Sequence, residues 1–292
     1  MQRMYQIALH RIVLEAPDNS PVWKSLPNYE PFAVPLCGSA GKALTVSVVD
    51  VLEEVSGQKI YDVSSPGFPS ISMFRTESGW LIRTSPLPGE PVCCEVLASE
   101  DFSRASLRIS DLSLARFSVD NALMILFALR TSREDTLEMH SSVTICEGKG
   151  YLFLGRSGTG KSTHSRMWLE NIPGTELLND DNPILRYVDG TLRVFGSPWS
   201  GKTPCYRALD YPVGAIVRIE QAPFNRITRL SLVPAYASVY PSCSAFREIK
   251  SVADAIHGTL VKVASGTPCY TLECLPDAGA AHLCHDTLLP SK

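Results

Sequence analysis

The sequence predicts an α/β fold in two parts, a β-rich N-terminal domain over residues 1–118 and a domain with a mixed sheet over residues 119–292. The first part consists largely of short segments rich in β-branched and aromatic residues, separated by proline-rich pieces, which are typical of strands. In the second part a glycine-rich loop lies between a strand-like run and a helix-like run. A succession of strand, loop and helix is typical of α/β domains.

The composition indicates a soluble globular protein, with 45% hydrophobic residues in a chain of 292. The formal net charge is −3 and the basic residues are scattered, so we expect no nucleic-acid partner. The N-terminus lacks a secretion-signal pattern, and we expect no membrane span because no apolar run reaches about 18 residues. Nine cysteines without a disulfide spacing fit a reducing compartment, so a cytoplasmic location is predicted.

In the first part, residues 42–50 (KALTVSVVD) predict a strand, and residues 72–85 predict a hairpin with its turn at Glu77–Gly79. No pattern in this part indicates catalysis. Docking of a substrate is the hypothesis for its role, and deletion of residues 1–118 without loss of activity would contradict it.

The second part opens with a predicted helix, in which Asp120 is the N-cap and residues 122–129 are apolar on every side, as in buried helices. A strand with a turn at Gly148–Gly150 follows. His164 and Trp168 would share one face of the helix after the glycine-rich loop, which favours packing.

Beyond Gly201, strands are predicted at 213–221 and 227–234 and a helix at 246–264. The tail concentrates cysteine and histidine residues at 269–285 but lacks the CxxC pairs of structural zinc sites. It therefore predicts a strand followed by a C-terminal helix.

Residues 155–162, GRSGTGKS, match the phosphate-loop pattern GxxxxGK[ST] at every fixed position. Glycines let backbone N–H groups point toward an anion, and the following helix N-terminus adds partial positive charge. Lys161 would contact the outer phosphates, and the Ser162 hydroxyl would ligate Mg²⁺. The residues predicted to bind the nucleotide are Gly155, Arg156, Ser157, Gly158, Thr159, Gly160, Lys161, Ser162 and Thr163.

Two adjacent acidic residues, Asp180 and Asp181, end a short apolar run after this loop. In many phosphate-loop enzymes the carboxylate that holds the metal leaves a neighbouring strand in this way. Adjacent residues of an extended segment point to opposite faces, so the two aspartates should differ in role unless the chain turns there.

Three segments within residues 119–210 resemble, in order, the superfamily that joins ATP-dependent phosphoenolpyruvate carboxykinase (PEPCK) to the C-terminal domain of HPr kinase/phosphorylase. They are MHSSVTICEGKGYLFLGRSGTGKST, LLNDDNPILRYVDG and VFGSPWSGKT. The resemblance implies a PEPCK/HPr-kinase-like P-loop domain with a mixed sheet, and ATP with Mg²⁺, or Mn²⁺ in its place, as cofactors.

The resemblance also implies roles for individual residues. His140 would lie beside the transferring phosphate and its metal, which Asp181 would ligate together with Ser162. Asp180 would accept the proton of the attacking hydroxyl. Lys202 could reach the substrate or the γ-phosphate, and Arg156 and Arg207 are further candidates for contact with the transferred group.

Three functions remain open on the sequence alone. A Mg-ATP-dependent kinase that transfers the γ-phosphoryl to a hydroxyl of a protein serine or a small molecule is the prediction, because the loop, base and metal positions are all present. A carboxykinase-like enzyme on a keto acid would need clustered arginines, for which Arg130, Arg133 and Arg207 are candidates. The third is a non-catalytic ATP-binding sensor. The predicted partners are a nucleotide and an unidentified phosphate acceptor, and an oligomer is compatible with the sequence.

Overall fold

The computed structural model describes residues 1–36, 43–201, 203–244 and 246–290. The chain divides into two compact units, each with a large mixed sheet. The first unit comprises Met1–Thr131 with Phe246–Val252, and the second comprises Ser132–Ala245 with Ala253–Lys292. The chain is therefore a mixed α/β protein.

The first unit is built on a nine-stranded sheet of order β3-β1-β2-β4-β9-β8-β7-β6-β5. Its strands are β1 (Gln2–Ile7), β2 (His10–Glu15), β3 (Ala33–Val34), β4 (Leu44–Val48), β5 (Gly57–Val63), β6 (Ser70–Thr76), β7 (Gly79–Ser85), β8 (Cys94–Ser99) and β9 (Arg104–Ile109). The β2–β4 and β4–β9 pairs are parallel, and the other pairs are antiparallel. The predicted strand at 42–50 is confirmed as β4 over its described residues. The predicted hairpin is confirmed as β6 and β7, with Arg75 paired to Trp80.

Helix α1 (Ala115–Thr131) packs within the first unit, so the predicted boundary after residue 118 falls inside a helix. The prediction that Asp120 caps this helix was wrong, because α1 begins five residues earlier. Asp111 provides the capping side chain one turn upstream, where it accepts a hydrogen bond from the Ser113 N–H at 2.8 Å. Asp120 instead accepts a hydrogen bond from Asn28 Nδ2 at 3.0 Å, so tertiary packing decides its position.

Among the described residues, one segment, Leu112–Thr131, is long and apolar enough to cross a membrane by length and composition alone. Arg116, Asp120 and Arg130 interrupt the segment, so it is not an unbroken apolar run. More than half of its apolar window is buried within the protein, as in the core helix of a soluble unit.

The second unit contains the other nine-stranded sheet, of order β10-β14-β15-β16-β12-β11-β13, with β18 paired to both β16 and β17. Its strands are β10 (Thr136–Glu138), β11 (Ser141–Cys146), β12 (Lys149–Leu154), β13 (Glu176–Asp181), β14 (Ile184–Val188), β15 (Thr191–Phe195), β16 (Asp210–Gln221), β17 (Arg226–Arg229) and β18 (Cys269–Cys274). The remaining α-helices of the described residues are α2 (Lys161–Asn171), α3 (Leu232–Val239), α4 (Lys250–Gly266) and α5 (Ala278–Leu288).

Most of the elements predicted for this unit are present. The strand and turn before the loop form the β11–β12 hairpin, in which Glu147 and Gly148 both have positive φ, as a two-residue hairpin turn requires. The predicted C-terminal strand and helix are β18 and α5. The strand predicted at 227–234 was partly wrong, because β17 ends at Arg229 and α3 begins at Leu232. Pro234 fits the first turn of a helix, where its missing N–H costs nothing. The helix predicted from residue 246 begins at Lys250.

Helix α2 is fixed against the sheet by a buried aromatic cluster. Trp168 is fully buried and packs on Tyr151 and Phe153 of β12, with ring centroids 5.3 Å and 5.4 Å away. Its indole N–H donates a hydrogen bond to His164 Nε2 at 3.1 Å. This contact confirms that His164 and Trp168 serve packing, and it fixes the helix that follows the glycine-rich loop.

Candidate functional site

The predicted site residues meet at one edge of the second sheet because of strand direction. β12 runs parallel to β16, and β16 runs parallel to β18. β11 is antiparallel to both β12 and β13, so β13 also runs in the direction of β12. The carboxyl ends of β12, β13, β16 and β18 therefore share an edge, and His140 lies at this edge directly before β11. Ligands of α/β sheets bind outside the carboxyl ends of strands.

The loop between β12 and α2 has the backbone that its glycines predict. Gly158 and Gly160 have φ of +81° and +101°, values that favour glycine. A Cβ at Gly155 would lie 2.2 Å from Thr159 Oγ1, and the same hydroxyl donates to the Arg156 carbonyl at 2.8 Å. Gly160 is the N-cap of α2 and no side chain caps this helix, so its first N–H groups face the loop and suit an anion.

Three predicted residues form a continuous hydrogen-bonded chain. Lys161 Nζ lies 2.8 Å from His140 Nε2, and His140 Nδ1 lies 3.0 Å from Asp181 Oδ1. Because the lysine ammonium can only donate, His140 Nε2 accepts, and Nδ1–H donates to the carboxylate. Lys161 also donates to the carbonyls of Gly155 and Arg156 at 3.1 Å and 3.4 Å. The histidine thus joins the loop lysine to the acidic pair.

The charges of Lys161 and Asp181 affect each other's pKa values. Burial lowers the pKa of Lys161, and the negative charges of Asp181 and Asp180 oppose that effect. Burial alone would raise the pKa of Asp181, but the hydrogen bond from His140 and the charge of Lys161 bring it below its ordinary value. Asp181 therefore carries a negative charge at neutral pH, as a metal ligand or phosphate-site carboxylate must.

The two adjacent aspartates differ in environment. Asp180 is 4% exposed and pairs across the sheet with Ser142, whose hydroxyl lies 2.6 Å from that of Ser165 in α2. Directly paired residues share a face of the sheet, so Asp180 is on the face that α2 covers. Asp181 is partly exposed and has φ of +135°, an unfavourable value for a residue with a side chain. Such backbone strain is concentrated at functional sites.

The other predicted residues differ in their exposure and in their contacts. Ser162 is exposed and Thr163 partly exposed in the first turn of α2, and Ser157 is exposed in the loop. Lys202 lies outside the described residues. Arg207 donates to the Leu177 carbonyl at 2.8 Å and forms an ion pair with Glu176 at 2.6 Å, so it braces the start of β13 rather than the edge where the loop lies.

Two ionisable residues of the site were not predicted. Arg218 lies opposite Leu154, the last residue of β12 before the loop, and its charge lowers the pKa of Lys161. Its guanidinium donates to the Ser238 hydroxyl at 3.1 Å and to the Ser238 carbonyl. An arginine within the apolar run VGAIVRIE was the available sequence signal for it.

Glu138, the last residue of β10, is the second. It is 3% exposed, and Ser244 Oγ donates to its Oε1 at 3.2 Å. Its Oε2 is buried without a hydrogen-bond partner in the described part of the chain. Burial raises the pKa of Glu138 to about 8, and the charge of Asp181 adds to the rise. Its position two residues before His140 was the only sequence signal for it.

No family model and no curated protein matches the chain. Among solved structures, the Hpr(Ser) kinase/phosphatase from Coxiella burnetii is similar at 13% identity with a TM-score of 0.30. The match covers 52% of this chain and 93% of that protein. A TM-score of this size does not establish a common fold, so the residues of the site carry the functional proposal.

Proposed function

We propose that this protein is a Mg-ATP-dependent kinase that transfers the γ-phosphoryl group to a hydroxyl of a protein serine or a small molecule. The observation that carries this proposal is the chain Lys161–His140–Asp181 at the mouth of a glycine loop, with buried Asp180 beside it. A module that only binds nucleotide would need the loop and its lysine, but not an aspartate for the acceptor.

The chemistry of the loop supports a nucleoside triphosphate as ligand. The loop offers main-chain N–H groups and a helix N-terminus to an anion, and Lys161 and Arg218 add positive charge. A side chain at Gly155 would collide with Thr159, so the close turn depends on glycine there. Loops of this kind bind anions through main-chain N–H groups, which bulky side chains would cover.

The donor set also suits Mg²⁺. Asp181 and Ser162 offer oxygen atoms, which Mg²⁺ prefers. No group of three or more His, Cys, Asp or Glu residues is placed to hold a metal among the residues described. This fits an ion held by one or two protein oxygens together with phosphates and water, where it would neutralise charge on the phosphates.

In the proposed reaction the acceptor oxygen forms a bond to the γ-phosphorus, and the bond from that phosphorus to the β–γ bridging oxygen breaks. ADP leaves with that oxygen and its charge, and the hydroxyl proton passes to Asp180. Lys161 and Arg218 stabilise the negative charge on the transferred group. His140 holds the lysine and Asp181 in position, since catalysis of phosphoryl transfer is mainly orientation and charge stabilisation.

The test measures transfer of label from γ-³²P-ATP with Mg²⁺ into fractionated lysate of the source organism. We expect wild type to label a protein or metabolite, and Lys161→Ala to abolish labelling together with ATP binding. Asp180→Asn should keep ATP binding but lower transfer by about a hundredfold or more, because the proton acceptor is lost.

Asp189→Asn is the matched control, since Asp189 is an exposed turn residue of the same unit, with φ of +48°, a conformation that asparagine tolerates. It should leave both binding and transfer unchanged. Binding of ATP by wild type without any labelled product would contradict the kinase proposal and favour a nucleotide sensor.

A further inference from the structure

A cavity of ≈ 360 Å³ lies beside the glycine loop in the second unit. Its walls come from the loop, the first turn of α2, the end of β16 and the segment after β18. The apolar part of the lining consists of Ile219, Ala222, Cys274, Leu275 and Pro276. The volume is near the small end of the roughly 300–1,000 Å³ found for ligand pockets, so it suits one ring system rather than a whole nucleotide.

The cavity lies on the opposite side of β12 from the acidic pair. Sheet order places β11, which follows His140, and β13, which ends in Asp181, on one side of the loop, and β16 and β18 on the other. The path from β12 to β18 spans two strand spacings, about 10 Å. A triphosphate held across the loop with its outer phosphate near Asp181 would direct its other end toward the cavity.

The lining carries no net charge. None of the lining residues is acidic, lysine or arginine, and burial lowers the pKa of His164 to about 4, so its ring is neutral at pH 7. The apolar part of this wall disfavours a phosphate or a carboxylate, because a charged group there would lose its hydration without a counter-charge. The loop residues Gly158 to Gly160 at the other end of the lining are the part that suits an anion. A neutral, planar aromatic group is favoured, since apolar surface is buried on both partners.

Hydrogen bonds connect the segments that form the wall of the cavity. Asn225 Oδ1 accepts the Leu275 N–H at 2.8 Å, and the Ala222 N–H donates to the Cys274 carbonyl at 3.1 Å. Gln221 Nε2 lies 3.4 Å from the Gly158 carbonyl and connects this wall to the loop. The two strand ends and the loop therefore form a connected wall beside the phosphate site.

We infer that this cavity binds the base of the nucleoside triphosphate whose phosphates lie on the glycine loop. The inference rests on the proposed function and deepens it, because it assigns the binding site of the base. It gives the site two separable parts, a charged part for the phosphates and an uncharged part for the ring.

The experiment compares binding of Mg-ATP with that of Mg-tripolyphosphate, which has the phosphates but no base, by calorimetry. Wild type should bind ATP more tightly. Ala222→Phe places a ring in the cavity and should weaken ATP binding by at least about tenfold, the effect of roughly 1.4 kcal/mol, while tripolyphosphate binding stays the same. Leu275→Ala removes part of the wall and should weaken ATP binding in the same selective way.

Ala237→Phe is the matched control, since Ala237 is exposed on α3 of the same unit and outside the cavity lining. It should bind both ligands as wild type does. If wild type binds ATP more tightly than tripolyphosphate and Ala222→Phe keeps that difference, the base binds elsewhere and the inference is wrong. If wild type binds neither ligand, the phosphate-loop proposal fails and the inference fails with it.

Discussion

The buried carboxyl of Glu138 predicts an unusual dependence of stability on pH. Burial raises its pKa to about 8 from the ordinary value of 4.5. Between these values the folded protein holds a proton that the unfolded chain releases, so unfolding releases a proton and a rise in pH favours unfolding. Below pH 4.5 both states are protonated, and the penalty is absent.

Glu138→Gln replaces the protonated carboxyl with a neutral group of the same shape. The amide oxygen can still accept from Ser244 Oγ, as Oε1 does at 3.2 Å. The free energy of unfolding of the variant, minus that of wild type, should therefore rise with pH between about 5 and 8. Its slope should approach about 1.4 kcal/mol per pH unit, the limit for one proton.

Urea unfolding of both proteins from pH 4.5 to 8.5, followed by fluorescence and circular dichroism, measures this difference. Groups that titrate identically in the two proteins cancel. Glu147→Gln is the control, because Glu147 is exposed in the β11–β12 turn, and its difference from wild type should not follow pH in this way. A flat profile for Glu138→Gln would show that the carboxyl ionises normally and is not enclosed as described.

Two further predictions concern the site itself. Asp181→Asn should raise the Mg²⁺ concentration needed for half-maximal transfer by about tenfold or more, which is the cost of losing one charged contact. Asp180→Asn should lower the rate of transfer without changing that Mg²⁺ concentration. Titrations of the transfer rate with Mg²⁺ measure both effects. Gly155→Ala should weaken ATP binding, because its methyl group would lie 2.2 Å from the Thr159 hydroxyl and the Thr159 side chain would have to shift within the loop. Gly258→Ala, whose added methyl group meets no atom of another element within 4 Å, should bind ATP normally by calorimetry.

Local patterns predicted those parts of the structure that depend on neighbouring residues in sequence. The glycine loop follows from the backbone requirements of single positions, since Gly158 and Gly160 have positive φ. The cap predicted at Asp120 failed because its side chain is paired with a residue far away in sequence. Glu138 and Arg218 were missed for a related reason, because the sequence does not show which strands lie together. Glu138 gains its properties from burial, and Arg218 gains its place in the site from pairing with Leu154.

The hydrogen bond between His140 and Lys161 is another feature that the sequence alone does not predict. The loop pattern placed Lys161 near a phosphate, whereas His140 was placed there only through a resemblance, and no spacing rule brings the two side chains together. The β11–β12 hairpin does so, because pairing of Ser141 with Leu154 brings the start of β11 to the end of β12. The 2.8 Å contact is thus a consequence of hairpin register.

The same edge explains why binding and chemistry should be separable in this protein. His140 and the acidic pair lie on the side of β11 and β13, and Lys161 and Arg218 lie next to the loop. The uncharged apolar wall lies beyond the loop, at the ends of β16 and β18. A ligand with an anionic end and a neutral aromatic end therefore fits in one orientation only. Substitutions on the first side should change transfer and metal dependence, whereas those on the second should change affinity for the base. A variant such as Ala222→Phe that slowed transfer at saturating ATP would show that the two sides are coupled.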